Sequence, residues 1–84
     1  MTNEEMLTNV RKDRPNQIIN NVMDFKMNKY GFYDVYVDIQ YEAIDIDWAQ
    51  FPVIRHVKTR IPYPISEFNK LPKEKQLEYR WQSI

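Results

Sequence analysis

The sequence contains no cysteine, one glycine and one histidine among its 84 residues. Without cysteine the chain forms neither disulfides nor thiolate metal sites, so its stability must come from packing. One glycine is too few for a glycine-rich phosphate loop. The single histidine, His56, has no cysteine or second histidine with which to form a nucleophilic pair or a zinc site. We therefore expect no catalytic residue, no metal and no cofactor.

The chain also lacks a signal peptide and an apolar run long enough to span a bilayer. Together with the absence of cysteine, this predicts a protein of the cytoplasm. The length allows a single domain, residues 1–84, with one modest core. Aromatic residues make up 14% of the chain, which favours a folded protein over a disordered one.

Charge is segregated along the chain although the net charge is zero. Residues 32–54 contain five acids and no Lys or Arg, whereas residues 55–84 contain seven bases and three acids. Like charges held together on a scaffold produce a local potential that steers a charged partner, which is typical of an interaction protein. Acids four residues apart on a strand are about 13 Å apart, too far for cooperating catalytic carboxylates. This spacing argues against an enzyme.

The first third of the chain predicts two helices. Thr2 and Glu5 have the spacing of a capping box, so a helix begins there and ends near Asp13, before Pro15. Apolar residues then recur at helical spacing, which predicts a second helix that Asp13 caps and Gly31 closes in a left-handed conformation. Its predicted apolar stripe consists of Ile18, Ile19, Val22, Met23, Phe25 and Met27.

The apolar period changes to two at Phe32, which predicts a strand with one buried face. The alternation reverses after Ala43, so we expect a bulge at Ala43-Ile44. A turn over residues 48–51 leads to a returning strand over residues 53–61, which ends at two prolines. The register expected with this bulge places Glu42 opposite His56, Gln40 opposite Lys58 and Asp38 opposite Arg60.

The C-terminal segment predicts one turn capped by Ser66, then a helix from Pro72 toward Gln82. Leu77, Trp81 and Ile84 form its expected apolar edge. The predicted fold is therefore α+β, with N-terminal helices, a long two-stranded antiparallel β-hairpin with a bulge, and a C-terminal helix.

The acidic stretch is the first candidate binding surface, and two interpretations stay open. Its acids either pair with the basic strand across the hairpin, or they face a partner. Asp45 and Asp47 lie beyond any such pairing, near the turn and beside Trp48 and Phe51, and aromatic anchors beside charge are typical of interface hot spots. The candidate partner-binding residues are Asp34, Asp38, Glu42, Asp45, Asp47, Trp48 and Phe51.

The basic C-terminal region is the alternative surface, for direct contact with nucleic acid. Its bases offer phosphate contacts, and nearby Tyr and Trp side chains offer stacking surfaces. A net charge of zero and the adjacent acidic strand oppose this interpretation, and the bases also suit the solvated face of a helix. The residues concerned are Arg55, Lys58, Arg60, Lys73, Lys75 and Arg80.

The start of the chain (MTNEE) and its richness in Asn, Ile, Lys and Tyr resemble the small early proteins with which phages of AT-rich bacteria take over their hosts. Some of these proteins mimic DNA by presenting carboxylates to a DNA-binding surface, and the acidic stretch is the part that resembles them. Residues 76–81 (QLEYRW) also resemble the Gln-Leu-x-Leu-Phe peptide that docks on the bacterial sliding clamp. They depart from it at Tyr79, in place of Leu, and by one inserted residue before the aromatic.

The resemblance implies a non-enzymatic inhibitor in the host cytoplasm. Its expected partner is a host protein with a basic DNA-binding surface, such as the sliding clamp, and we expect no membrane partner and no small-molecule substrate. Two other classes remain open. One is a nucleic-acid-binding regulatory protein that uses the basic region, and the other is an assembly protein whose charges serve only self-association.

Two strands and three short helices leave apolar surface uncovered near residues 44–48, so we expect a homodimer. Light scattering of the purified chain should therefore report the mass of a dimer. A monomer at concentrations of hundreds of micromolar would contradict this expectation.

Overall fold

A three-stranded antiparallel sheet forms the centre of the fold. The computed structural model describes residues 1–44 and 52–81. The strands pair in chain order, so β2 is central and β1 and β3 are edge strands. The α+β class is confirmed, with helices at both ends of the chain. The elements are α1 (Asn3–Asp13), β1 (Ile18–Met27), β2 (Tyr33–Ile44), β3 (Pro52–Tyr63), α2 (Ile65–Asn69) and α3 (Lys73–Trp81).

The second predicted helix is wrong, because its residues form strand β1. The pairing of β1 with β2 shifts between Ile19 and Asn21 and again between Val22 and Asp24, which marks two bulges. Each bulge inserts one residue, so the inward-facing residues of β1 fall three apart instead of two. This spacing imitates the period of a helix. The inward-facing pairs are Ile19 with Ile39, Val22 with Val37 and Phe25 with Val35.

The predicted hairpin is present as β2 and β3, but it belongs to a three-stranded sheet and its register differs. Pairing runs without a shift from Tyr33 opposite Tyr63 to Ile44 opposite Pro52. The bulge expected at Ala43-Ile44 is therefore wrong, and the turn predicted over residues 48–51 lies outside the described residues. The observed register differs from the predicted one by two positions. The observed pairs are Gln40 with His56, Asp38 with Lys58 and Tyr36 with Arg60.

Helix α1 covers one face of the sheet. Its predicted capping box is confirmed, because Glu5 N donates to Thr2 Oγ1 at 3.2 Å and Thr2 N donates to Glu5 Oε1 at 3.1 Å. Met6 and Val10 are its buried residues. Removing their apolar surface from water stabilises the contact with the sheet. The core on this face consists of Met6, Val10, Ile19, Val22, Val35, Val37 and Ile61.

A second apolar cluster joins the β1–β2 turn to the C-terminal helices. Phe32, Phe68 and Tyr79 are buried there, with ring centroids 5.3–6.3 Å apart. Aromatic rings at these distances stabilise one another beyond the area that they bury. The predicted apolar edge of α3 is wrong for Leu77 and Trp81, whose side chains are 55% and 84% exposed. Its third residue, Ile84, lies outside the described residues. The two phenylalanines hold the other side of α3, which carries Tyr79, against the fold.

Asp13 connects the two ends of the chain. Its Oδ2 accepts a hydrogen bond of 2.8 Å from the backbone N–H of Ile65, the first residue of α2. The N-cap residue of α2, Pro64, makes no side-chain cap bond. A carboxylate at this position satisfies a free N–H and interacts favourably with the helix dipole. Asp13 therefore caps α2 and not a second N-terminal helix, and Ser66, the predicted cap, lies inside α2.

The turn between β1 and β2 depends on Asn28 and Gly31. Gly31 has the predicted left-handed conformation, with φ of +92°, but in a hairpin turn and not at a helix end. Asn28 Oδ1 accepts from the N–H groups of Tyr30 at 2.9 Å and Phe32 at 3.3 Å. Asn28 Nδ2 donates to Asp34 Oδ1 at 3.0 Å. One side chain thus connects the turn to the start of β2.

The substitution Asn28→Ala removes three hydrogen bonds and leaves the Asp34 carboxylate with one partner fewer. We expect it to lower the free energy of unfolding by about 2 kcal/mol, measured by urea denaturation. The matched control is Asn21→Ala, because Asn21 is exposed on β1, and we expect it to change stability by less than about 0.5 kcal/mol. Equal losses in the two variants would show that the Asn28 bonds do not hold the turn.

Candidate functional site

The acidic row does not form one exposed surface. Asp34, its first member, is buried between two strands, opposite Lys26 of β1 and Pro62 of β3. Its carboxylate accepts from Asn28. A buried, hydrogen-bonded carboxylate is a structural anchor. Asp34 is therefore not available to a partner.

Asp38 belongs to a cross-strand network of polar side chains. It is paired with Lys58, and its Oδ1 lies 3.8 Å from Nδ1 of His56. The same His56 nitrogen lies 3.1 Å from Nδ2 of Asn20 on β1. The Asp38 carboxylate therefore lies beside His56 of the basic strand, and its register partner is Lys58 in place of the predicted Arg60.

Of the remaining acids, only Glu42 lies within the described residues. Glu42 is paired through its backbone with Ile54. The other four candidate partner-binding residues are outside the described part of the chain. They are Asp45, Asp47, Trp48 and Phe51.

Strands β2 and β3 extend beyond the first residue of β1. β1 begins at Ile18, which pairs with Gln40, so residues 41–44 and 52–55 continue as a two-stranded ribbon. We call this ribbon the hairpin arm. Large apolar side chains are exposed on it and at its base: Tyr41 is 46% exposed, Ile54 61% and Val57 44%. Tyr41 and Val57 lie on one face and Ile54 on the other, because alternate residues of a strand face opposite ways.

The predicted basic surface is divided among several parts of the fold. Arg55 pairs with Tyr41 and lies on the opposite face of β3 from Lys58, which pairs with Asp38. Arg60 donates through Nη2 to the backbone oxygen of Tyr79, and its guanidinium carbon is 4.2 Å from the centre of the Tyr79 ring. On α3, the Nζ of Lys75 lies 3.7 Å from Oε2 of Glu78, Lys73 is exposed, and the Arg80 guanidinium lies 5.7 Å from the Phe68 ring. These bases form no continuous stripe.

Tyr79 and Arg14 are two residues whose structural importance the sequence does not indicate. Burial raises the pKa of the Tyr79 hydroxyl, and the Asp34 carboxylate beside it raises it further. Arg14 is half-buried at the end of α1, and its Nη2 donates to the backbone oxygen of Pro62 at 3.3 Å. No local pattern marks either residue, because the groups around them come from distant parts of the chain.

Comparison with known proteins adds no assignment. No family model matches the chain, and neither a curated protein nor a solved structure matches it. Within residues 1–44 and 52–81, no three acidic or histidine side chains lie together in a way that could hold a metal ion. In the same ranges, no helix has the length and apolar character needed to cross a membrane.

Because Asp38 lies opposite Lys58, reversing the charge of one residue should lower stability, and reversing both charges should restore it. Asp38→Lys places two positive charges opposite each other and beside His56, so we expect the free energy of unfolding to fall by about 0.5–1 kcal/mol. The double variant Asp38→Lys/Lys58→Asp restores opposite charges and should recover most of this loss. Chemical denaturation of the two variants measures both effects. Equal stability of the single and double variants would rule out the pairing.

Proposed function

We propose that this protein is a small, non-enzymatic interaction protein of the phage type. It binds and inhibits a host nucleic-acid-handling protein, such as the DNA sliding clamp, in the host cytoplasm. The observation that carries the proposal is the hairpin arm, a two-stranded extension with exposed apolar side chains, whose two strands flank an acidic stretch of the sequence. From Tyr41 to Ile54 the chain has three acids and no Lys or Arg.

The shape of the arm supports a role in binding. Its base is held in a three-stranded sheet, whereas residues 41–44 and 52–55 have no third strand beside them. Tyr41, Ile54 and Val57 are therefore exposed where the sheet narrows. Exposed apolar side chains rimmed by charge are typical of protein interaction sites. A base fixed by pairing on both sides also limits the conformational entropy lost when a partner binds.

The charge of the arm supports a basic partner. Asp34 is buried and Asp38 lies beside His56 within the sheet, so the proposed surface consists of Glu42, Asp45 and Asp47 with Trp48 and Phe51. Carboxylates here take the part of backbone phosphates and meet the Lys and Arg side chains that a DNA-handling protein presents to DNA. Such complementarity mainly increases the rate of association and selects the partner.

The peptide of residues 76–81 supports the sliding clamp as one such partner. It lies in α3, and its two apolar positions, Leu77 and Trp81, are exposed. These side chains are therefore accessible to a partner, in addition to the arm. Direct nucleic-acid binding is less well supported, since the candidate bases lie on different faces and elements.

The decisive variant is Asp45→Lys/Asp47→Lys, with Glu67→Lys/Glu74→Lys as the control of equal charge change. Glu67 and Glu74 are exposed on α2 and α3, away from the arm. Immobilised wild-type protein should retain a host protein that added duplex DNA displaces, and retention should weaken as salt rises. We expect the arm variant to lose at least about tenfold in affinity with an unchanged melting temperature, and the control to lose little.

Two results would refute the proposal. One is equal retention of the partner by the arm variant and the control. The other is direct binding of DNA by the purified protein that Arg55→Gln/Lys58→Gln abolishes and the arm variant does not weaken. The second result would support the nucleic-acid-binding alternative.

A further inference from the structure

Three arginines from three separate elements line one pocket. Arg14 follows α1, Arg60 lies on β3 and Arg80 on α3. The pocket has a volume of about 310 Å³. Sites for small molecules begin at about 300 Å³, so a small ligand fits. The pocket is at the end of the sheet opposite the hairpin arm, beside residues 59–62 of edge strand β3.

The charged residues that line the pocket are all arginines. In the part of the chain that the structure describes, no Asp or Glu lines it. Its other walls include Thr59, which offers a hydroxyl, and the rings of Phe68 and Tyr79. Three guanidinium groups around a partly apolar cavity favour an anion, because the low polarity of the walls strengthens charge interactions.

One hydrogen-bond donor of the Arg14 side chain is left without a partner among the described residues. Its Nε atom is buried and has no hydrogen-bond partner among the described residues. Burial lowers the pKa of the Arg14 guanidinium, and the neighbouring Asp13 carboxylate opposes this change. Asp13 Oδ2 also accepts from Ile65 N. A cation partly removed from water gains stability when an anion approaches it.

Arg60 and Arg80 are positioned by aromatic rings. The Arg60 guanidinium lies over Tyr79 and also donates to the Tyr79 backbone oxygen, and the Arg80 guanidinium lies near the Phe68 ring. Contacts between guanidinium groups and rings hold the charged groups in place before a ligand arrives. Less conformational entropy is then lost on binding.

We propose that this pocket binds the phosphate group of a small phosphorylated molecule. Guanidinium groups match the geometry of phosphate oxygens and can donate two parallel hydrogen bonds to them. The size of the pocket suits a monophosphate with a small organic group against the aromatic walls. This site is separate from the hairpin arm, so the two proposals can fail independently.

Calorimetric titration of the full chain with inorganic phosphate and with AMP tests the site, and adenosine controls for the base. We expect phosphate and AMP to bind and to raise the melting temperature, and adenosine to do neither. Arg80→Gln should weaken AMP binding about tenfold, as expected for the loss of one charge-assisted contact. Arg14→Gln should have a similar effect, and if that variant does not fold, Arg80→Gln alone decides.

The matched control is Lys73→Gln, which removes one positive charge from the same helix outside the pocket. It should leave the affinity for AMP unchanged. The proposal is wrong if neither phosphate nor AMP binds at millimolar concentration, or if Lys73→Gln weakens binding as much as Arg80→Gln. It is also wrong if an oligonucleotide without terminal phosphates binds more tightly than AMP, because the site would then recognise a nucleic-acid backbone.

Discussion

The number of β2 residues that β1 pairs with determines where the three-stranded sheet ends and the two-stranded arm begins. β1 has ten residues, but two bulges reduce its pairing to eight positions of the twelve-residue β2. The last four residues of β2 therefore have only β3 beside them. A two-stranded ribbon is only marginally stable in water by itself, and this one is supported by the three-stranded base from which it continues. Had β1 been regular, the same ten residues would have covered part of the arm.

The two ends of the sheet differ in how they are covered. At the end near the β1–β2 turn, α1 packs on one face, and the aromatic cluster of Phe32, Phe68 and Tyr79 packs with the C-terminal helices. The Asp13 to Ile65 bond connects these layers. The arm has no such cover on its described residues. This division places the arginine pocket in the covered part of the sheet and the described residues of the arm in the uncovered part.

Much of the fold was predictable from sequence where the signal was local. The capping box at Thr2, the strand from Tyr33, the left-handed Gly31 and the C-terminal helix each depend on residues close in the chain. The assignment of β1 failed because bulges give a strand an apolar spacing of three, and single-sequence periodicity cannot distinguish this from a helix. The predicted register of β2 with β3 is wrong by two positions, and the bulges lie instead in the pairing of β1 with β2.

The candidate site was less predictable, because it depends on contacts between distant residues. Nothing near Asp34 in the sequence indicates that Asn28 and a neighbouring strand bury it. The apolar spacing of α3 favours the face of Leu77 and Trp81 over the face of Tyr79. The choice between these two faces is made by Phe32 and Phe68, which lie far away in the chain. The arginine pocket likewise requires three elements to meet.

The irregular pairing of β1 also affects how copies of this chain meet. An edge strand offers unpaired backbone groups to any other strand, and regular edges promote aggregation. The two bulges in β1 break the even row of donors and acceptors that a second sheet would need. On the other edge, Pro62 removes one donor from β3. Copies of the chain are therefore expected to meet through side-chain surfaces and not by joining their sheets into a longer one.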